Sequence, residues 1–134
     1  ILDRARRSPF ANRIHFIGYV ADHDMAALYS AATVTAFVSL YEGFGLPALE
    51  SMACGTPVVA ADRSSLPEVC GDAAALVDPV DSHAICSGLG LVLSDAKLRK
   101  RLIERGRQRA KSFTWQTCAR DTLAFLRAIR DNST

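Results

Sequence analysis

Four short runs that are apolar at nearly every position, residues 14–17, 34–38, 57–61 and 74–77, constrain this chain more than any other feature. A strand with one wet face alternates apolar and polar residues, whereas a short continuous apolar run suits a strand covered on both faces. Such cover comes from helices, and a helical pattern follows each run. A doubly wound α/β domain is therefore expected, with a parallel sheet between two helical layers. At 134 residues the chain has the length of one domain or part of one.

The helical segments can be placed by their caps and stripes. Asp22 is positioned to cap a helix with Met25, Leu28, Tyr29 and Ala32 inward. Pro47 suits the first turn of the next helix, whose stripe is Leu49, Met52 and Ala53, and Gly55 is placed to end it. A short turn is expected over 65–70. Asp81 or Ser82 then caps a helix carrying Ile85, Leu89, Val92 and Leu93. A further helix is expected from about Asp95 to Lys111 with Leu98 and Leu102 inward. The last follows Thr114, with Trp115, Cys118, Thr122, Phe125 and Ile129 inward.

Charge and cysteine usage narrow the function classes. Sixteen Lys and Arg against 14 Asp and Glu leave a net charge of +2, which does not indicate a nucleic-acid-binding chain. No apolar run approaches the ~18 residues of a membrane span. The first residues lack a signal peptide's basic-then-apolar order, so a cytoplasmic location is expected. Cys54, Cys70, Cys86 and Cys118 form no C-x-x-C pair and are expected to be reduced core residues. The histidines show no ligand spacing, and no protein-built metal site is expected. Asp22-His23-Asp24 spells the D-x-D of some metal-dependent sugar transferases, but at a helix start such acids have an ordinary capping purpose.

In an open parallel sheet, ligands bind beyond the carboxyl ends of the strands. The loop after the second apolar run reads Glu42-Gly43-Phe44-Gly45-Leu46-Pro47-Ala48-Leu49-Glu50. Two glycines just before a helix start let the backbone turn tightly and bring its N–H groups close to an anion. Glu42 and Glu50 flank that position. A carboxylate beside a diphosphate is repulsive unless it faces hydroxyl groups, so the pattern suits a ligand with phosphate between two polyols. A nucleotide sugar is built this way.

This segment resembles the E-x7-E signature of family 4 retaining glycosyltransferases, in its E-G-F-G-L-P-x-x-E form. Flanking stretches agree with the resemblance: Arg13 to Val20, Ser51 to Ala60, and Leu66-Pro67-Glu68-Val69. It implies a Rossmann-like, doubly wound parallel sheet with helices on both faces, forming the carboxyl-terminal half of a GT-B glycosyltransferase. It further implies that residues 1–134 are the nucleotide-sugar-binding domain, truncated at its N-terminal side and lacking the acceptor domain. By the same resemblance Glu50 would accept hydrogen bonds from the ribose, and Glu42, the catalytic candidate, would face the transferred sugar. Backbone N–H groups of Phe44, Gly45 and Leu46, beside Gly43, would contact sugar and diphosphate, and Tyr19 and Val20 would border the base. The partners implied are a UDP- or GDP-type sugar donor and an N-terminal acceptor domain of the same enzyme, with no cofactor and no metal.

Two further patterns compete for attention. Gly43, Gly45 and Ala48 also satisfy G-x-G-x-x-A, and Asp62 follows the next apolar run at a spacing that suits a dinucleotide ribose, as in an oxidoreductase. Against this alternative, it leaves Glu42 and Glu50 unexplained. Residues 97–111 contain eight basic residues and one acid, Glu104. This run reads first as a solvated helix face and second as a peripheral contact with an anionic inner-membrane surface.

Overall fold

A computed structural model describes residues 1–131. Its centre is a three-stranded parallel sheet, β1 (Thr35–Phe37), β2 (Val58–Ala61) and β3 (Ala74–Val77), in the order β1-β2-β3. Thr35 pairs with Val58, and Val58 with Ala74. Every residue of β2 is buried, as a strand with a neighbour on each side and helices on each face requires. The two crossover helices, α3 (Leu46–Ala53) and α4 (Leu66–Cys70), cover one face, where Leu49, Met52, Leu66 and Val69 pack with Val58 and Ala60. Helix α5 (Ser82–Ser94) covers the other face through Val92, Ile85 and Leu89 against Val59 and Val77. Helix α6 (Ala96–Ser112) lies against both α3 and α5. The expected α/β architecture with helices on both faces is therefore observed.

Local chemistry explains the boundaries. The Asp81 carboxylate accepts the His83 N–H at 2.8 Å to start α5, and Asp95 accepts the Lys97 and Leu98 N–H groups to start α6. The Arg99 guanidinium donates to the Val92 and Leu93 carbonyls, closing α5 from the next helix. Gly106 is buried where α6 packs on α3, and a Cβ there would lie 3.0 Å from the Met52 side chain.

Several expectations are corrected. Residues 14–17 are not a strand: they follow a short helix α1 (Leu2–Arg6) and a 3-10 turn at Ala11–Arg13, and join no sheet among the described residues. A strand exists only where a neighbour offers N–H and C=O groups, and the sheet among the described residues ends at β1 and β3. Asp22 does not cap α2 (Asp22–Ala31); Ala21 holds that position without a side-chain bond, and Asp22 and Asp24 sit in the first turn. On α2 only Tyr29 is buried. The inward face expected of α7 (Trp115–Asp131) is exposed along its whole length, Trp115 by 81%. Thr114 does bond the Thr117 N–H as a cap, but nothing in the described residues covers the apolar side of the helix. Of the cysteines only Cys70 is buried, with Cys54 half-buried and Cys86 and Cys118 exposed. Among the described residues no helix is long and apolar enough to cross a membrane.

Candidate functional site

The carboxyl end of β1 runs through residues 38–44 to Gly45, the N-terminal boundary residue of α3. Gly45 has φ 103° and ψ 43°, left-handed backbone that favours glycine. It is also buried, and a Cβ there would sit 2.5 Å from the Leu66 Cδ2 atom. Gly43 differs: it has no positive φ, and nothing lies within 4 Å of where its Cβ would be. The tight turn expected of both glycines thus belongs to Gly45, while Gly43 leaves open space beside the loop. Among the described residues, the N–H groups of Phe44, Gly45 and Leu46 have no hydrogen-bond acceptor. They lie at the amino end of α3, where the helix dipole favours an anion.

The carboxylates are held differently. Glu50 lies one turn into α3, exposed, and its Oε2 accepts a hydrogen bond of 3.1 Å from the Tyr29 hydroxyl. Burial, then the bond and charge of Glu50, push the Tyr29 phenol up to about 12 from the ordinary 10. Tyr29 is therefore a firm donor that fixes one carboxylate oxygen, while Oε1 has no hydrogen-bond donor among the described residues. Glu42 is half-buried, and its backbone, rather than its carboxylate, is tied down. Ser64 Oγ donates to the Glu42 carbonyl at 2.6 Å and accepts the Glu42 N–H at 3.3 Å. Ser65 Oγ lies 3.0 Å from the same carbonyl and 2.8 Å from that of Phe44. The Phe44 ring meets Phe113 edge-on at 5.6 Å, and Arg109 stacks 4.8 Å above Phe113 while donating to the Val69 and Glu68 carbonyls.

Beyond the strand ends lies an open cavity of about 500 Å³ lined by Leu40, Tyr41, Asp62, Arg63, Ser64 and Asp78. It is formed by the loops after β1, β2 and β3, where the sheet topology directs a ligand. Arg63 and Asp78 pair across it at 3.3 Å.

Of the residues expected at the site, Glu42, Gly43, Phe44, Gly45, Leu46 and Glu50 share one loop and helix start. Tyr19 and Val20 lie on the unpaired segment before α2, with Tyr19 fully open to solvent. No hydrogen bond or ring contact joins them to the loop among the described residues. Tyr29, Ser64, Ser65 and Arg109 went unrecognised as supports of the loop. Only the serines carried a signal, since they follow β2 in a loop where the topology directs ligands. The basic run proves partly structural: Arg99 and Arg109 serve backbone carbonyls, and Arg105 pairs with Asp72 at 2.9 Å. Among the described residues no cluster of three or more His, Cys, Asp or Glu could hold a metal ion.

This parallel sheet with helices on both faces is shared with GT-B glycosyltransferases. The sucrose-phosphate synthase of Thermosynechococcus elongatus superposes with a TM-score of 0.85 and 30% identity, covering 98% of this chain and 34% of that one. The model for "Glycosyl transferases group 1" matches residues 3–109, and the chain belongs to that family. It is 46% identical over 110 residues to the O-antigen chain mannosyltransferase B of Escherichia coli, covering 82% of this chain and 29% of that protein. It is 43% identical over 115 residues to the MMP alpha-(1->4)-mannosyltransferase of Mycolicibacterium hassiacum, covering 83% and 28%. The chain thus spans less than a third of the curated relatives it matches. Asp62 does stand at the end of β2, as a dinucleotide site would need, but none of these relatives supports that alternative.

Proposed function

We propose that this chain is the donor-binding part of a family 4 glycosyltransferase that transfers a hexose from a nucleoside diphosphate with retention of anomeric configuration. The observation that carries the proposal is the loop itself. Three N–H groups at a helix start, without an acceptor among the described residues, suit an anion, and Glu42 and Glu50 flank them along the chain. Glu50, oriented by Tyr29, has an oxygen open to ribose hydroxyls. Glu42 faces the transferred sugar, where it positions the reacting carbon and stabilises developing positive charge. Tyr19 and Val20 border the base. No metal is required, because the helix-start N–H groups offset charge on the departing diphosphate. The acceptor is held by an N-terminal domain of the same enzyme, which fits the short span of this chain within its relatives. Several relatives are named as mannosyltransferases, one of them GDP-mannose-dependent, so we take mannose on GDP as the first donor to test. Catalysis takes place on the cytoplasmic side. Lys97, Lys100, Arg101 and Lys111, exposed and without ion-pair partners among the described residues, supply the peripheral contact with anionic lipid.

The two carboxylates separate under mutation in the intact enzyme. Glu50→Gln weakens charge-assisted bonds worth ~1.5–3 kcal/mol each, so affinity for the free nucleotide falls by roughly one to two orders of magnitude. Glu42→Gln lowers turnover and leaves free-nucleotide affinity nearly constant. Equal loss of nucleotide affinity in both variants, measured by calorimetry, would overturn the assignment.

A further inference from the structure

We propose that the Ser64 and Ser65 hydroxyls clamp the donor-binding loop in its working conformation and are positioning residues for sugar transfer, an inference that rests on the function proposed above.

The backbone points to this first. Ser64 has φ 56°, the one non-glycine residue among those described with a positive φ. L-residues resist that region, and where one is held there, something in its surroundings depends on it. Glycine would take this conformation freely but would bring no hydroxyl. Here the hydroxyl meets both backbone polar groups of Glu42, donating to its carbonyl at 2.6 Å and accepting its N–H at 3.3 Å. The second hydroxyl, on Ser65, reaches the Glu42 and Phe44 carbonyls at 3.0 and 2.8 Å, its single proton serving one or shared between them. The loop after β2 thereby grips the loop after β1 at both residues flanking Gly43.

These bonds are not needed to satisfy a buried core. Ser64 and Phe44 are exposed, so water could replace the serine oxygens at little cost to stability. What water cannot replace is placement: the clamp sets where the Glu42 side chain departs and where the N–H groups of Phe44 and Gly45 aim. Misplacement of a reacting group by about an ångström can cost up to ~100-fold in rate. Glu50 stands outside the clamp on α3, held by Tyr29, so the ribose contact is supported separately from sugar placement.

The test uses the intact enzyme with a GDP or UDP sugar. Ser64→Gly relieves the backbone while removing the hydroxyl, and Ser65→Ala removes the second. Both are expected to keep the melting temperature near that of the parent, lower kcat by roughly tenfold or more, and weaken free-nucleotide binding by less than Glu50→Gln does, because the ribose contact is untouched. Ser65→Thr keeps the hydroxyl and is expected to restore most of the turnover. Amide exchange at Glu42 should accelerate in both loss-of-hydroxyl variants. Parent-level kcat in Ser64→Gly and Ser65→Ala would overturn the proposal, as would a rate loss that tracks a fall in melting temperature. Unchanged exchange at Glu42 would overturn the clamp itself, whatever the reaction. A parent enzyme inert toward every nucleotide sugar, with exchange at Glu42 accelerated in the variants, would instead sink the proposed function and with it the clamp's role in transfer.

Discussion

Alanine at the two loop glycines should have opposite consequences. At Gly45 the new Cβ needs a positive φ of 103°, which costs a non-glycine residue ~1–3 kcal/mol. It would also stand 2.5 Å from Leu66 Cδ2, in a fully buried side chain, and overpacking of this kind costs ~1–3 kcal/mol. Together these give a destabilisation of about 2–6 kcal/mol. With a urea m-value of ~2 kcal/mol/M, the midpoint of the purified chain should fall by roughly 1–3 M. Gly43→Ala meets neither obstacle, since its surroundings are open and its φ is not positive. Its midpoint should stay within about 0.3 M of the parent. In the intact enzyme, however, a methyl group beside the loop should obstruct the donor and raise its KM. The origin of the Gly45 cost is checked by a double-mutant cycle with Leu66→Ala, which should recover at least ~1 kcal/mol relative to the sum of the single changes. Equal midpoints for the two alanine variants would refute the reasoning. A cycle with no coupling would assign the whole cost of Gly45→Ala to the backbone and refute the clash.

Tyr29 contributes a pH dependence. Its phenol is favoured in the neutral form on folding, so that part of the stability is complete below pH 10 and is lost as pH rises toward about 12; spectrophotometric titration should show one late-ionising tyrosine, absent in Tyr29→Phe. Tyr29→Phe should also release Glu50 and weaken free-nucleotide binding in the intact enzyme by about three- to tenfold, measured by calorimetry. Burial pushes the Cys70 thiol up to about 11 while Cys86 and Cys118 are exposed, so a thiol reagent at neutral pH should label those two quickly and Cys70 only with unfolding. Charge reversal at Lys97, Lys100, Arg101 and Lys111 should abolish sedimentation with anionic vesicles at physiological salt, leaving the melting temperature within a few degrees.

Local signals carried much of the fold into the sequence. The runs at 57–61 and 74–77 became β2 and β3, and Asp81, Asp95 and Thr114 capped the helices they precede. These features depend on residues within a few positions of each other. The failures share the opposite property. Residues 14–17 have a strand's composition, but hydrogen-bond partners for a strand come from distant chain, and none is supplied among the described residues. The stripe of α7 is genuine, yet periodicity shows only that a face is apolar and not what covers it. At the site, the loop and both carboxylates were legible because glycines before a helix have a direct backbone meaning. The supports were not: Tyr29 reaches Glu50 across 21 positions, Ser64 reaches Glu42 across 22, and Arg109 reaches Val69 across 40. Such pairings follow from packing and leave no spacing to recognise.

Trp115, the single tryptophan, stands at the exposed start of α7 and so makes the chain its own optical gauge. An indole this open to water emits at long wavelength and is readily quenched by iodide. Covering the apolar side of α7 would move the emission to the blue and shelter it from the quencher. The state of that helix can therefore be followed in real time, without a label, in a signal to which no other indole contributes.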